Sequence, residues 1–157
     1  MARISDIQNR LKSINISDIS VESIDETKDV FLEINKEQLL AGKTKKGVDI
    51  TPSYIDDPYF KTPGAAQRYS AWKDKITPSD IRTPGTPNLY INGTFHESIS
   101  INVSGPIINI SASFKGNEIE NKYTSDIFGL GGDFKTKYVS EDLIPVFLRK
   151  VRQATGL

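Results

Sequence analysis

The stretch NLYINGTFHESISINVSGPIINISASF, Asn88 to Phe114, decides the fold. From Ser98 the apolar residues fall on alternate positions, Ile99, Ile101 and Val103, with Ser98, Ser100, Asn102 and Ser104 between them. After Gly105-Pro106 the alternation resumes at Ile108, Ile110, Ala112 and Phe114. Two period-two runs broken by Gly-Pro predict an antiparallel β-hairpin with one dry and one wet face. With Gly105 and Pro106 as the loop, Val103 faces Ile108, Ile101 faces Ile110 and Ile99 faces Ala112. A slip of one residue would expose every one of these pairs, so the pattern specifies the register.

A dry face needs a roof, and helical patterns flank the hairpin. A short helix is expected over residues 5–13, with Ser5 or Asp6 as its cap and Ile7 and Leu11 on one side, followed by a polar linker, ISDIS. From about Ser20 to Ala41, Ile24, Phe31, Ile34 and Leu39 keep to one face, with Val30 and Leu40 beside them. Acidic residues crowd the first half, where the helix dipole favours them, and Gly42 suits the C-terminal turn. This helix is the expected roof. Downstream, residues 117–128 read as a short helix, and Gly129, Gly131 and Gly132 as a plain hinge. Ser140 is placed as the cap of a last helix reaching about Ala154. Leu143, Phe147 and Val151 form its core face, widened by Ile144 and Leu148, and Pro145 lies near its first turn. The expected class is α+β: a hairpin or small sheet packed against a long N-terminal and a C-terminal helix.

The chain of 157 residues reads as one domain, with residues 1–19 as an N-terminal arm and 51–87 as a Pro-rich excursion. Six of the eight prolines fall there, leaving room for one helix over about 64–75, where Ala65, Ala66, Tyr69 and Trp72 share a side. Long ordered loops tend to meet partners. The aromatics Tyr54, Tyr59, Phe60, Tyr69 and Trp72 either pack back onto the domain or contact a neighbouring subunit, and the sequence favours neither.

Twenty basic and twenty acidic side chains cancel, which argues against a duplex-DNA binder and weakens single-strand stacking on these rings. The charge is unevenly spread. Residues 1–41 carry five basic and eight acidic groups, and residues 42–75 seven and four. Opposite-signed segments suit head-to-tail contact between copies, although a solvated surface explains them as well. There is no cysteine, hence no disulfide and no thiolate metal site. No apolar run approaches the ~20 residues of a membrane span, and the N-terminus lacks a secretory apolar core, so no membrane partner is expected.

Evidence for catalysis is wanting. Gly42-Lys43-Thr44 lacks the earlier glycine of a phosphate-binding loop, because Glu37 stands in its place. The single histidine, His96, lies just before a strand, where its neighbours Glu97 and Ser98 cannot converge into a triad. Asp56-Asp57 is the sole close acidic pair outside a helix, and such pairs in Pro-rich loops are usually solvated or capping. No catalytic residue, cofactor or metal is assigned.

The run Pro87-Asn88-Leu89-Tyr90-Ile91-Asn92-Gly93-Thr94-Phe95-His96-Glu97-Ser98-Ile99 resembles a phrase (hydrophobic, small or polar, Gly, x, hydrophobic, x, x, Ser, Ile) of small tail-completion and neck proteins of tailed bacteriophages, most specifically over Leu89–Val103. The order of elements over residues 20–155 is similar in outline, and the long Pro-rich insertion departs from the simplest members. In that context Gly93 turns the chain into a single helical turn, Phe95 plugs the core beneath, and Ser98 bonds backbone donors as the strand begins. The resemblance implies a virion component: a ring of six or twelve copies joining portal or adaptor to tail proteins around the DNA path. The acidic N-terminal helix and the basic, aromatic segment 42–75 would then supply the two faces of a cyclic interface. Lys43, Lys45 and Lys46 are its charged candidates, and reversing them to Glu is expected to impair assembly of a folded monomer. The alternative is a small adaptor or inhibitor that binds another protein through the Pro-rich loop, and an uncharacterised carboxylate hydrolase comes last.

Overall fold

The structure is a computed structural model that describes residues 4–156; of the expected N-terminal arm, residues 1–3 lie outside the described residues. Helices α1 (Ile4–Ser13), α2 (Ile16–Leu40) and α3 (Pro63–Ile76) precede a single turn, α4 (Thr94–Glu97). Strands β1 (Ile99–Ser104) and β2 (Ile107–Ala112) follow, then α5 (Gly116–Tyr123), α6 (Gly132–Lys137) and α7 (Ile144–Thr155). The chain is an α+β protein whose one sheet, among the described residues, is the two-stranded hairpin.

The hairpin takes the register that its alternation dictates: Val103 opposite Ile108, Ile101 opposite Ile110, Ile99 opposite Ala112. Gly105 supplies the positive φ, 55°, that a tight right-twisted hairpin takes at its first loop position. The roof covers less than expected. Ile99, beside α2, is buried, Ile101, Val103 and Ile110 are half-covered, and Ile108 is 41 % exposed. A rigid helix meets a twisted ribbon only at its base, so the apolar tip stands clear.

Helix α2 starts four residues earlier than the apolar pattern indicates. Asn15 caps it by accepting from the Ser17 and Asp18 amides, which draws the supposed ISDIS linker into the helix. Likewise α1 begins at Ile4, so neither Ser5 nor Asp6 caps it. Its Arg10 donates to the Thr155 carbonyl at 3.2 Å. The buried side of α2 is half polar, with Ser23, Thr27, Asn35 and Gln38 inside beside Ile19, Ile34 and Leu39. Small hydroxyl residues let the C-terminal helix approach closely, and Thr27 shares a 2.7 Å hydrogen bond with the Tyr138 hydroxyl.

The C-terminal helix lies along α2 rather than against the hairpin. It also begins earlier than Ser140. From Gly132 to Thr155 the backbone is helical throughout, with one wide π turn over Tyr138–Leu143. Ser140 is no cap; its hydroxyl donates to the Thr136 carbonyl inside the helix. Pro145 would clash with the carbonyl four residues back in a regular helix. The π turn gives it room, and the Ile144 amide reaches five residues back to Val139. Ile144 and Leu148, expected to widen the core face, are each 44 % exposed.

The helix expected over 117–128 breaks at Thr124, whose φ of 64° no helix accepts. A 3₁₀ turn, Ser125–Ile127, then drops Ile127 and Phe128 into the core. That core joins Leu39, Ile50, Phe95, Ile99, Ile127 and Phe128, with Leu32, Leu89, Ile110 and Ile119 packed against it. The glycines that follow form no hinge. Gln38 donates to the Gly129 carbonyl at 2.8 Å and accepts from the Gly131 amide at 2.8 Å, and Asn35 donates to the Gly129 carbonyl at 2.9 Å. Two buried amides thus clamp the segment to α2.

Candidate interaction surface

The Gly93 phrase occupies a structural position. Gly93 has φ 88° and starts α4 without any side-chain cap, a conformation that favours glycine. Phe95 is buried in the core. The Ser98 hydroxyl accepts from the Phe114 amide at 3.1 Å and donates to the Phe95 carbonyl at 2.8 Å, tying the foot of β1 to the exit of β2.

His96 is on α4, not on extended chain, and is buried. Its Nε2 lies 3.0 Å from the Asn88 carbonyl, so the neutral ring donates from that nitrogen. Burial pushes its pKa down to about 4; the Asn88 contact opposes this and the Lys73 and Lys36 charges add to it. As pH falls below the ordinary 6.5 towards 4, the unfolded chain takes up a proton that the native ring refuses, so stability is lost in that window. Between pH 6.5 and 5 this amounts to about 2 kcal/mol. In His96→Gln, whose amide also reaches the Asn88 carbonyl, that part of the pH slope is expected to vanish. Urea midpoints of both proteins from pH 7 to 5 check this, and parallel profiles would refute it.

The lysine candidates are committed inside the chain. Lys43 pairs with Asp49 at 2.6 Å, and Lys46 and Lys45 both reach Asp126, at 2.5 and 3.4 Å. These partners hold the Asp126 carboxyl below its ordinary value, the Lys46 hydrogen bond foremost. Charge reversal at all three positions would therefore repel Asp49 and Asp126 and loosen the turn itself, which spoils it as a test of assembly. The acidic side of α2 is answered in the same way. Glu26 pairs with Arg149 and Lys150, and Lys150 also reaches Glu22. The charge asymmetry of the sequence is thus answered in part within one copy.

The aromatic candidates do come together. Tyr54 meets Tyr69 and Phe60 edge-on, with ring centroids 5.1 and 6.2 Å apart; Phe60 also touches Tyr59 and Tyr69, and Tyr69 touches Trp72. Five rings form one connected chain, anchored at Tyr54, which is 5 % exposed, and reaching solvent at Tyr59, 78 % exposed, and Trp72, 42 % exposed. Each such contact is worth about 1 kcal/mol beyond the area it buries. The inner rings, Tyr54, Phe60 and Tyr69, thus pack on the domain, and the outer ones, Tyr59 and Trp72, face solvent.

The excursion that carries them is pinned. Helix α3 starts at Pro63 with the Thr62 hydroxyl accepting from Ala65, a favoured place for proline. Buried Arg82 donates to the Thr86 carbonyl, pairs with Asp74 and lies 5.5 Å from the Tyr54 ring centre. Asp57 is buried rather than solvated. It accepts from the Tyr59 amide at 3.0 Å and from Lys122 at 2.5 Å, fastening the excursion to α5. Burial alone would raise its carboxyl; the Lys122 ammonium and the Tyr59 amide outweigh that and hold it low. Between α3 and the loop 49–56 runs an open, mostly apolar groove of about 650 Å³, lined by Pro52, Ile55, Ala66 and Pro84 among others.

Three apolar surfaces thus reach solvent on fixed backbone: the outer rings, the groove with Ile55 at its rim, and the hairpin tip at Ile107 and Ile108. Among the described residues no group of three or more acidic or histidine side chains is placed to hold a metal ion, and no helix is long and apolar enough to cross a membrane. Comparison with protein-family models, with curated proteins and with solved structures gives no match to this chain.

Proposed function

We propose that the protein is a non-enzymatic structural component of a tailed-phage particle, a neck or tail-completion subunit that assembles with copies of itself between portal and tail. The observation that carries this reading is the chain of rings ending in Tyr59 and Trp72, together with the hairpin tip. Exposed aromatics held on rigid backbone are what protein interfaces use as anchors. Two separate apolar patches suit the two unlike faces of a head-to-tail ring. The Gly93–Ile99 phrase and the order of elements support the same reading. An adaptor or inhibitor module is the second reading, favoured by the groove beside the rings.

The test pairs two variants. Tyr59→Ser with Trp72→Ser removes the outer rings, and Ile107→Ser with Ile108→Ser removes the tip. Each is expected to stay folded, the ring variant losing about 2 kcal/mol with its two ring contacts and the tip variant about 1 kcal/mol from substantially exposed side chains. Each is also expected to lose incorporation into particles, read by mass spectrometry of purified virions. A wild-type chain missing from the particles would sink the connector. Loss through the ring variant alone, with a host protein retained on the wild type, would favour the adaptor.

A further inference from the structure

Lys73 is the largest fully buried side chain among the described residues, 2 % exposed. It projects from α3 and lines a pocket of about 170 Å³ together with Tyr54, Tyr69, Leu89, Ile119 and Tyr123. Its ammonium has neither an acidic partner nor a hydrogen-bond acceptor among the described residues. The acids in this part of the fold are already taken, Asp57 by Lys122 and Asp74 by Arg82. The charged and titratable groups that act on Lys73 and His96 here are Arg82, Lys36 and each other, and none is an acid. Arg82 also keeps a buried nitrogen, Nη2, without a partner. The region holds more buried donors and positive charge than the protein has acceptors to answer them, a costly arrangement unless water or an anionic ligand in the pocket supplies the missing acceptors.

The rest of the wall fixes what kind of anion fits. Apart from Lys73 it is made of tyrosine rings and aliphatic side chains, which reward an apolar body. For scale, an enclosed cavity of about 150 Å³ lined by Leu, Ile and Phe holds benzene, and this pocket is of similar size but open to solvent on one side. The pocket here leaves room for one carboxylate on a ring of that size. We propose that this pocket binds a small aromatic monocarboxylate, its ring against the tyrosine wall of Tyr54, Tyr69 and Tyr123 and its carboxylate on the Lys73 ammonium. This site shares the inner rings Tyr54 and Tyr69 with the proposed assembly surface but uses neither of its exposed rings, Tyr59 and Trp72.

Sodium benzoate is the probe, titrated into the full chain and followed by thermal melting and by the NMR signal of the Lys73 amine. Benzyl alcohol and sodium chloride at equal ionic strength are the controls. Benzoate is expected to raise the melting temperature saturably and to move the Lys73 signal, with an affinity at least about tenfold above that of benzyl alcohol. Lys73→Met keeps the length of the side chain and is expected to lose that preference while still folding. Three results would overturn the site: no benzoate effect beyond that of chloride, benzyl alcohol equal to benzoate, or Lys73→Met binding benzoate as wild type does.

Discussion

Gly131→Ala is expected to destabilise the protein by roughly 4 kcal/mol or more, a drop of about 8–16 °C in melting temperature. Backbone conformation is not the reason. Gly131 has φ −141° and ψ 167°, extended values that any residue adopts. Space is the reason. A Cβ at this position would lie 2.1 Å from the Lys45 carbonyl oxygen, 2.4 Å from its carbon and 2.7 Å from the Gly47 nitrogen. All three are backbone atoms, and neither side of the contact is free to withdraw. The Lys45 amide is bonded to the Asp126 carbonyl at 2.7 Å and the Gly47 amide to Thr44 at 2.8 Å. The Gly131 amide is held by Gln38. Gly85→Ala is the control, since its φ is 83° but no atom lies within 4 Å of its added methyl. It should cost only about 1 kcal/mol, from backbone strain. Urea unfolding of the two variants beside wild type decides the matter, and a Gly131→Ala loss as small as that of Gly85→Ala would show that the 45–47 turn gives way.

The same glycine marks where the sequence stops being readable. The hairpin was legible because its register depends on local facts only, the alternation and a two-residue loop. The Gly93 turn was legible for the same reason. Gly131 owes its role to a turn more than 80 positions earlier in the chain, and a Gly-rich run looks alike whether it swings or is clamped. The pairing of the lysine cluster was hidden for the same reason, since Lys46 looks free until the fold brings Asp126 to it. The polar stripe of α2 was missed because Ser23, Thr27, Asn35 and Gln38 score as solvent-facing, although each finds a hydrogen bond inside. At the C-terminus Ser140 and Pro145 both carry helix-boundary chemistry, and a π turn lets the helix that starts at Gly132 run through them. Lys73 left a fainter trace. It continues the stripe of Ala66 and Tyr69 along α3, the spacing of a buried face, at a residue type that is almost never fully buried.

Lys73→Met follows from that burial, and it is expected to stabilise the protein by about 3 kcal/mol at neutral pH. Burial, with a further push from the Arg82 charge, lowers the pKa of the Lys73 ammonium from its ordinary 10.5 to about 8. Above the ordinary value both states are neutral and there is no penalty. As pH falls from 10.5 to 8, the unfolded chain takes a proton that the native amine resists, so stability is lost across that window and is not regained below it. Methionine keeps an unbranched stem for the same channel and has no charge to desolvate. The stability gap between variant and wild type should therefore be wide at pH 7 and shrink as pH climbs from 8 towards 10. Saturating benzoate should narrow the gap as well, since an anion on the ammonium relieves the wild type and leaves the variant unchanged. If Lys73→Met proves less stable than wild type at pH 7 without any ligand, the ammonium already has its partner within the fold, and the pocket has no charge left to offer a carboxylate.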